Sequence, residues 1–133
     1  MVLMETKVIT VAIERSPRDV YDFIVDPTNL PLWAPGFAQS VTKDDEGWVV
    51  ITSEGPMRIM FVDRNDLGVA DHYVTVTPGH ELFNPMRVIP NGEGAEVMFT
   101  LFRSVDASVD RFSTDAQLVR NDLQSLKSLL ERG

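Results

Sequence analysis

The sequence predicts an α+β fold: a curved antiparallel sheet of seven strands wrapped around one long C-terminal helix, with two short helices after the first strand. Three observations predict it. Helix-start signals follow a first alternating segment, turn signals cut residues 38–103 into strand-length pieces, and the tail repeats apolar residues at helical spacing.

The segment "TKVITVAIERS" alternates, placing Ile9, Val11 and Ile13 on one face and Val8, Thr10 and Ala12 on the other. In "SPRDVYDFIVDP", Ser16 is an N-cap, Pro17 occupies the first helical position and Asp19 sits in the first turn. Val20, Phe23 and Ile24 form the apolar stripe of that helix. Asp26-Pro27 repeats the device and starts a second short helix that ends near Pro31.

Next come "DDEG", "SEGP", "NDLG", "PGH" and "PNGEG", the turns of an antiparallel meander. Closing one hairpin at Glu54-Gly55 pairs Trp48 with Phe61, Val50 with Ile59 and Thr52 with Met57. Closing the next around Asp66-Leu67 sets His72 opposite Phe61 and Val74 opposite Ile59, so both hairpins agree on the inner face. A hairpin at Gly92-Glu93 gathers Met86, Val88, Val97, Phe99 and Leu101, and brings Arg87 and Glu96 together outside as an ion pair. The hairpin at Pro78-Gly79 breaks this agreement, and a one-residue bulge near Asn84-Pro85 restores it.

In the tail, with Ser108 as N-cap, Phe112, Ala116, Val119, Leu123, Leu126 and Leu130 recur at three- and four-residue steps. Arg120, Asn121 and Lys127 face water. A twisted sheet of this size curls, and one helix cannot fill its concave side. The remaining volume is a pocket of the kind that holds small molecules.

Length and composition set further bounds. The 133 residues fit one domain, 1–133, with enough chain to bury a core unaided. With no cysteine, disulfides and thiol catalysis are excluded. The start "MVLMETKVIT" has no signal-peptide pattern and no run reaches membrane-spanning length, so a cytoplasmic protein without membrane insertion is expected. A net charge of −8, from 20 acidic and 12 basic residues, disfavours nucleic acid as a partner. Two histidines on separate segments supply no metal-ligand spacing, and the reading requires no cofactor. No G-x-S-x-G elbow occurs, and "NGEG" precedes a strand, so it is a hairpin turn and not a phosphate cradle.

Four stretches, "SPRDVYDFIVDPTNLPLWAPGF", "DHYVTVTPG", "MRVIPNGEGAEVMFTLF" and "DAQLVRNDLQSLKSLLE", carry a family resemblance over nearly the whole chain. In order and spacing the sequence resembles the START-like polyketide cyclase/dehydrase superfamily, also labelled SRPBCC, whose architecture is the helix-grip fold. The resemblance implies a cavity between sheet and long helix that takes lipids, polyketides or other apolar molecules. Its members range from carriers to cyclases and dehydrases, so it specifies a fold more closely than a reaction.

The expected cavity lining is Trp33, Phe37, Trp48, Ile59, Phe61, His72, Met86, Phe99 and Val119. Trp33 and Phe37 lie in the proline-rich "DPTNLPLWAPGF", where they either rim the cavity mouth or plug the end of the core. His72, on an otherwise apolar face, is either a satisfied core residue or the polar group of a pocket. As a catalytic residue it would serve as general acid or base in a dehydration or cyclisation, helped by Asp63, Thr52 or Tyr73. His80 in its turn is solvated, and Asp115 and Asp122 are placed on a solvated helix face. Two alternatives to ligand binding stand beside it: a cyclase or dehydrase using His72, and a protein-interaction module with a vestigial cavity. The apolar outer face carrying Val49, Ile51, Met60, Val62 and Tyr73 suggests a homodimer.

Overall fold

The computed structural model describes residues 1–132. Strand β1 (Thr6–Ile13) leads into helix α1 (Pro17–Ile24), a 3-10 turn (Pro27–Asn29) and the short α2 (Leu30–Trp33). Strands β2 (Ser40–Asp44), β3 (Gly47–Thr52), β4 (Gly55–Phe61), β5 (His72–Thr77) and β6 (His80–Asn84) follow. After them come β7 (Met86–Asn91), β8 (Gly94–Phe102) and the long helix α3 (Val109–Arg132). The strands form two curved antiparallel sheets, ordered β1-β8-β7 and β2-β3-β4-β5-β6.

Among the described residues there are thus eight strands, not seven, because the chain changes sheets at Pro85. Proline has no N–H to give to a ladder. Its carbonyl accepts from the Thr100 N–H at 3.0 Å, while the next N–H, that of Met86, turns to the Asp71 carboxylate at 2.8 Å. The expected bulge exists, but not at Asn84-Pro85. The β5–β6 register jumps between Thr75 and Thr77, so Val76 is the extra residue, beside the turn. With that correction His72 faces Asn84 and Val74 faces Leu82.

The β3–β4 hairpin turns at Ser53-Glu54, pairing Thr52 with Gly55 and Trp48 with Ile59, two residues from the expected register. An even shift moves no side chain to the other face. Val50, Thr52, Met57 and Ile59 are accordingly all buried. In β4–β5, Phe61 pairs with His72 and Ile59 with Val74, as the pattern required.

The expected Arg87–Glu96 pair does not form, since the register sets Arg87 opposite Met98 and Glu96 opposite Ile89. Glu96 instead accepts from Asn91 Nδ2 at 3.0 Å. Arg87 grips Asp71 through two bonds of 3.0 and 2.9 Å. Burial alone would raise the Asp71 pKa, but the Arg87 bonds and the Met86 N–H outweigh it and hold the carboxyl below its ordinary range. The cross-link straddles the Pro85 corner and ties the two sheets together.

Ser16 Oγ accepts from the Asp19 N–H at 3.1 Å and caps α1, and Ser108 Oγ does the same for α3 through Arg111 N–H at 3.0 Å. Val20, Tyr21 and Ile24 carry the burial of α1, with Tyr21 taking the place expected of Phe23. Helix α3 packs chiefly on β1 and buries Phe112, Ala116, Leu123, Leu126 and Leu130. Full burial of one such leucine contributes about 1.5–3 kcal/mol. At its C-terminal end, Lys127 Nζ donates to Ala12 O and Arg15 Nη1 to Leu130 O, both at 2.7 Å. Among the described residues no helix is long and apolar enough to cross a membrane. On the outer sheet face Met60 is 63% exposed and Tyr73 stacks on Phe83 at 5.0 Å.

Candidate functional site

Between the sheets and α3 lies a cavity of about 490 Å³. Its floor comes from β5, β6 and β8 through His72, Val74, Leu82, Asn84, Phe99 and Leu101. Its roof is the Arg111–Leu123 stretch of α3, and its end walls are the loop after α2 and the β3–β4 turn. Glu54, Thr114 and Leu118 on the lining are exposed, so the cavity opens to solvent between that turn and α3.

Of the expected lining, Trp33, Phe37, His72, Phe99 and Val119 meet at this cavity. Trp48, Ile59, Phe61 and Met86 do not line it. Ile59 and Met86 are packed in the core, at 2% and 0% exposure. The Phe61 ring packs on His72, centroids 4.9 Å apart, and supports the wall from behind. Trp48 lies toward the far end of its strand, half-buried with Lys43 Nζ 5.4 Å from its ring centroid. Facing inward is not sufficient, because most of the inner sheet surface is covered by core side chains.

The proline-rich stretch divides its labour. Leu30 and Trp33 are buried, Leu32 is 60% exposed, and Phe37 is half-buried. Trp33 therefore belongs to both core and wall. Its indole N–H is buried without a hydrogen-bond partner among the described residues.

His72 is 6% exposed. Its Nδ1 lies 3.1 Å from the Ala70 carbonyl, which can only accept, so Nδ1 carries the proton and Nε2 is left as an acceptor. Burial pushes its pKa below the ordinary 6.5, against the opposing pull of the Ala70 bond and the Asp71 charge. The ring is neutral at pH 7.

The helpers expected for His72 are elsewhere. Asp63 is exposed and off the cavity, and Tyr73 lies on the outer face. Thr52 reaches the wall, but its hydroxyl already donates to Gly55 O at 2.8 Å and accepts from Glu54 N–H at 3.1 Å.

Asp122 corrects the expectation more sharply. It is not solvated: it is 8% exposed and sits on the cavity roof. Its Oδ1 accepts the Gly36 N–H at 3.0 Å, and Oδ2 has no partner among the described residues. Burial pushes the carboxyl up from 3.8 to about 6, and the Gly36 bond offsets only part of that. A Cβ at position 36 would lie 3.0 Å from Oδ1, so glycine lets the loop approach this closely. The signal was present in the sequence: Asp122 stands three residues after Val119 and four before Leu126, on the apolar stripe. Asp115, by contrast, is partly exposed at the mouth and pairs with Arg111 at 3.0 Å. Asn84, directly across from His72, is a second inward polar group that the bulge at Val76 brought into place.

Such a cavity can take up an apolar body and offer it a few polar contacts, with the His72 imidazole and the Asp122 carboxyl as its buried titratable groups. Comparisons with known proteins agree on the scaffold. XoxI from Bacillus cereus superposes with a TM-score of 0.75 at 16% identity, covering 95% of each chain. The di-domain ARO/CYC BexL, from the BE-7585A biosynthetic pathway, gives 0.72 at 15% identity over 96% of this chain and 47% of its own. A START superfamily protein from Mycobacterium smegmatis gives 0.67 at 9% identity, over 96% and 97%. At these identities the likeness is one of fold. No curated protein matches the sequence significantly. Residues 4–131 match the family model described as polyketide cyclase / dehydrase and lipid transport. With nearly the whole chain matched and a hollow helix-grip architecture around it, this protein belongs to that family.

Proposed function

We propose that the whole chain acts as one domain that binds a small apolar molecule, lipid- or polyketide-like, in the cavity under α3. The observation that carries this is the cavity itself, about 490 Å³ and walled mainly by Trp33, Phe37, Val74, Phe99 and Val119. That volume falls in the range that small-molecule sites use. Each 100 Å² of ligand surface removed from water contributes about 2.5 kcal/mol before ordering costs. The hollow interior argues against an interaction module with a vestigial cavity. Native mass spectrometry of the purified protein tests the reading, with retention of an apolar small molecule expected. Val119→Trp should abolish retention while leaving the circular dichroism spectrum intact. A wild-type protein that retains nothing, and whose tryptophan fluorescence ignores added 1-decanol, would overturn it.

One observation favours a second reading, a cyclase or dehydrase. Two titratable groups border the same cavity, and their surroundings move them oppositely, His72 down and Asp122 up. Such a pair suits one group to accept a proton and the other to donate one near neutrality. His72 would be the base through Nε2, with Asp122 the acid in place of the helpers expected from sequence. Turnover of a poly-β-ketone unchanged in His72→Gln would end this reading.

A further inference from the structure

We infer that the cavity selects ligands whose polar head donates hydrogen bonds, an alcohol, phenol or amine, and rejects carboxylate-headed ones. This rests on the ligand-binding reading above and specifies its ligand. The polar groups on the wall decide the matter when each is asked what it has left to offer.

Two of the unpartnered atoms on the wall are acceptors, and the buried Trp33 indole N–H is an unpartnered donor that a hydroxyl oxygen can meet at the same time. Asp122 Oδ2 has no partner among the described residues, on a side chain only 8% exposed. His72 spends its proton on the Ala70 carbonyl, which leaves Nε2 as a lone-pair acceptor. Two of the wall's other donors are committed. The Thr52 hydroxyl donates to Gly55 O at 2.8 Å. Arg111, the only Lys or Arg on the lining among the described residues, lies 3.0 Å from Asp115 and 3.5 Å from Glu54. The Asn84 amide, which both donates and accepts, suits either kind of head and does not change the balance.

Charge points the same way. Glu54, Asp115 and Asp122 set three carboxyls against one guanidinium around the cavity and its mouth. A carboxylate entering this site meets like charge in partly desolvated surroundings, finds no free cation, and leaves Oδ2 and Nε2 unmatched. A hydroxyl head donates to one of them and brings no charge.

The test compares heads on matched bodies: 2-naphthol with 2-naphthoate, and 1-decanol with decanoate, each titrated into the full chain at pH 7.5 by calorimetry. The donor-headed member of each pair is expected to bind at least about tenfold more tightly, a fraction of a close like-charge contact near a protein surface. In Asp122→Asn, which keeps an acceptor for Gly36, that preference should fall to within about threefold. Carboxylates that bind as well as their alcohols in wild type would overturn the inference and leave the ligand-binding reading standing. So would a preference that persists undiminished in Asp122→Asn. If neither alcohol nor carboxylate binds, the reading beneath it fails as well.

Discussion

Replacing Asp122 by asparagine removes an ionisation that burial opposes while keeping an oxygen for the Gly36 N–H. The wild-type carboxyl is raised from 3.8 to about 6, so the folded protein holds this proton more tightly than the unfolded chain does. The sign follows. The favourable contribution is fully present below pH 3.8 and is lost as pH rises through about 6. At 1.36 kcal/mol per pKa unit, the ionised group costs the fold about 3 kcal/mol at pH 8. Asparagine has no such cost, though burying its amide takes back part of the gain. For a chain of this size 1 kcal/mol moves Tm by roughly 3–5 °C. Asp122→Asn should therefore raise Tm by roughly 5–10 °C at pH 8 and by little at pH 3.5. Differential scanning calorimetry at both pH values measures the difference, from which the titration of His72 cancels. An equal shift at the two pH values, or a loss of stability confined to pH 8, would refute a carboxyl held up by burial.

Two more expectations come from the same kind of reasoning. Arg87→Ala leaves the Asp71 carboxylate, 7% exposed, with the Met86 N–H but without its guanidinium. Because Arg87 itself is about half exposed the cost is discounted to about 2 kcal/mol at pH 7, read by urea denaturation; Arg87→Lys should recover only part of it. The stability that His72 contributes by staying neutral is present above 6.5 and is lost as pH falls through its lowered pKa. His72→Gln should flatten that acid limb of the stability profile, and an unchanged slope below pH 6.5 would contradict a buried neutral imidazole.

Much of the fold was legible because it rests on periodicity and local chemistry. Ser16, Ser108 and the stripe from Phe112 to Leu130 marked two helices through capping and spacing. Face assignment survived a two-residue register error in β3–β4, since a strand pattern of period two is blind to even shifts. The bulge was detectable as an inconsistency but could not be located, because Val76 and Asn84-Pro85 both restore the parity. The site was less legible. Sequence shows which residues face inward, yet Met86 and Ile59 are covered while Leu82 and Asn84 are open, and that depends on where α3 crosses the sheets. Asp122 was misplaced because its charge suggested solvent, although its neighbours on the helix marked it as interior.

Helix α3 is carried differently along its length. Near its start Phe112 and Ala116 are packed, and near its end Leu126 and Leu130 are packed while Lys127 and Arg15 fasten the last turns to neighbouring backbone. Between them Val119 and Asp122 look down on empty space. The helix is a bridge deck resting on two abutments, its midspan held on one side by buried Leu123 and short of dispersion contacts on the side where Val119 borders the cavity. A guest molecule would complete that support from below without having to prise the deck from either bank.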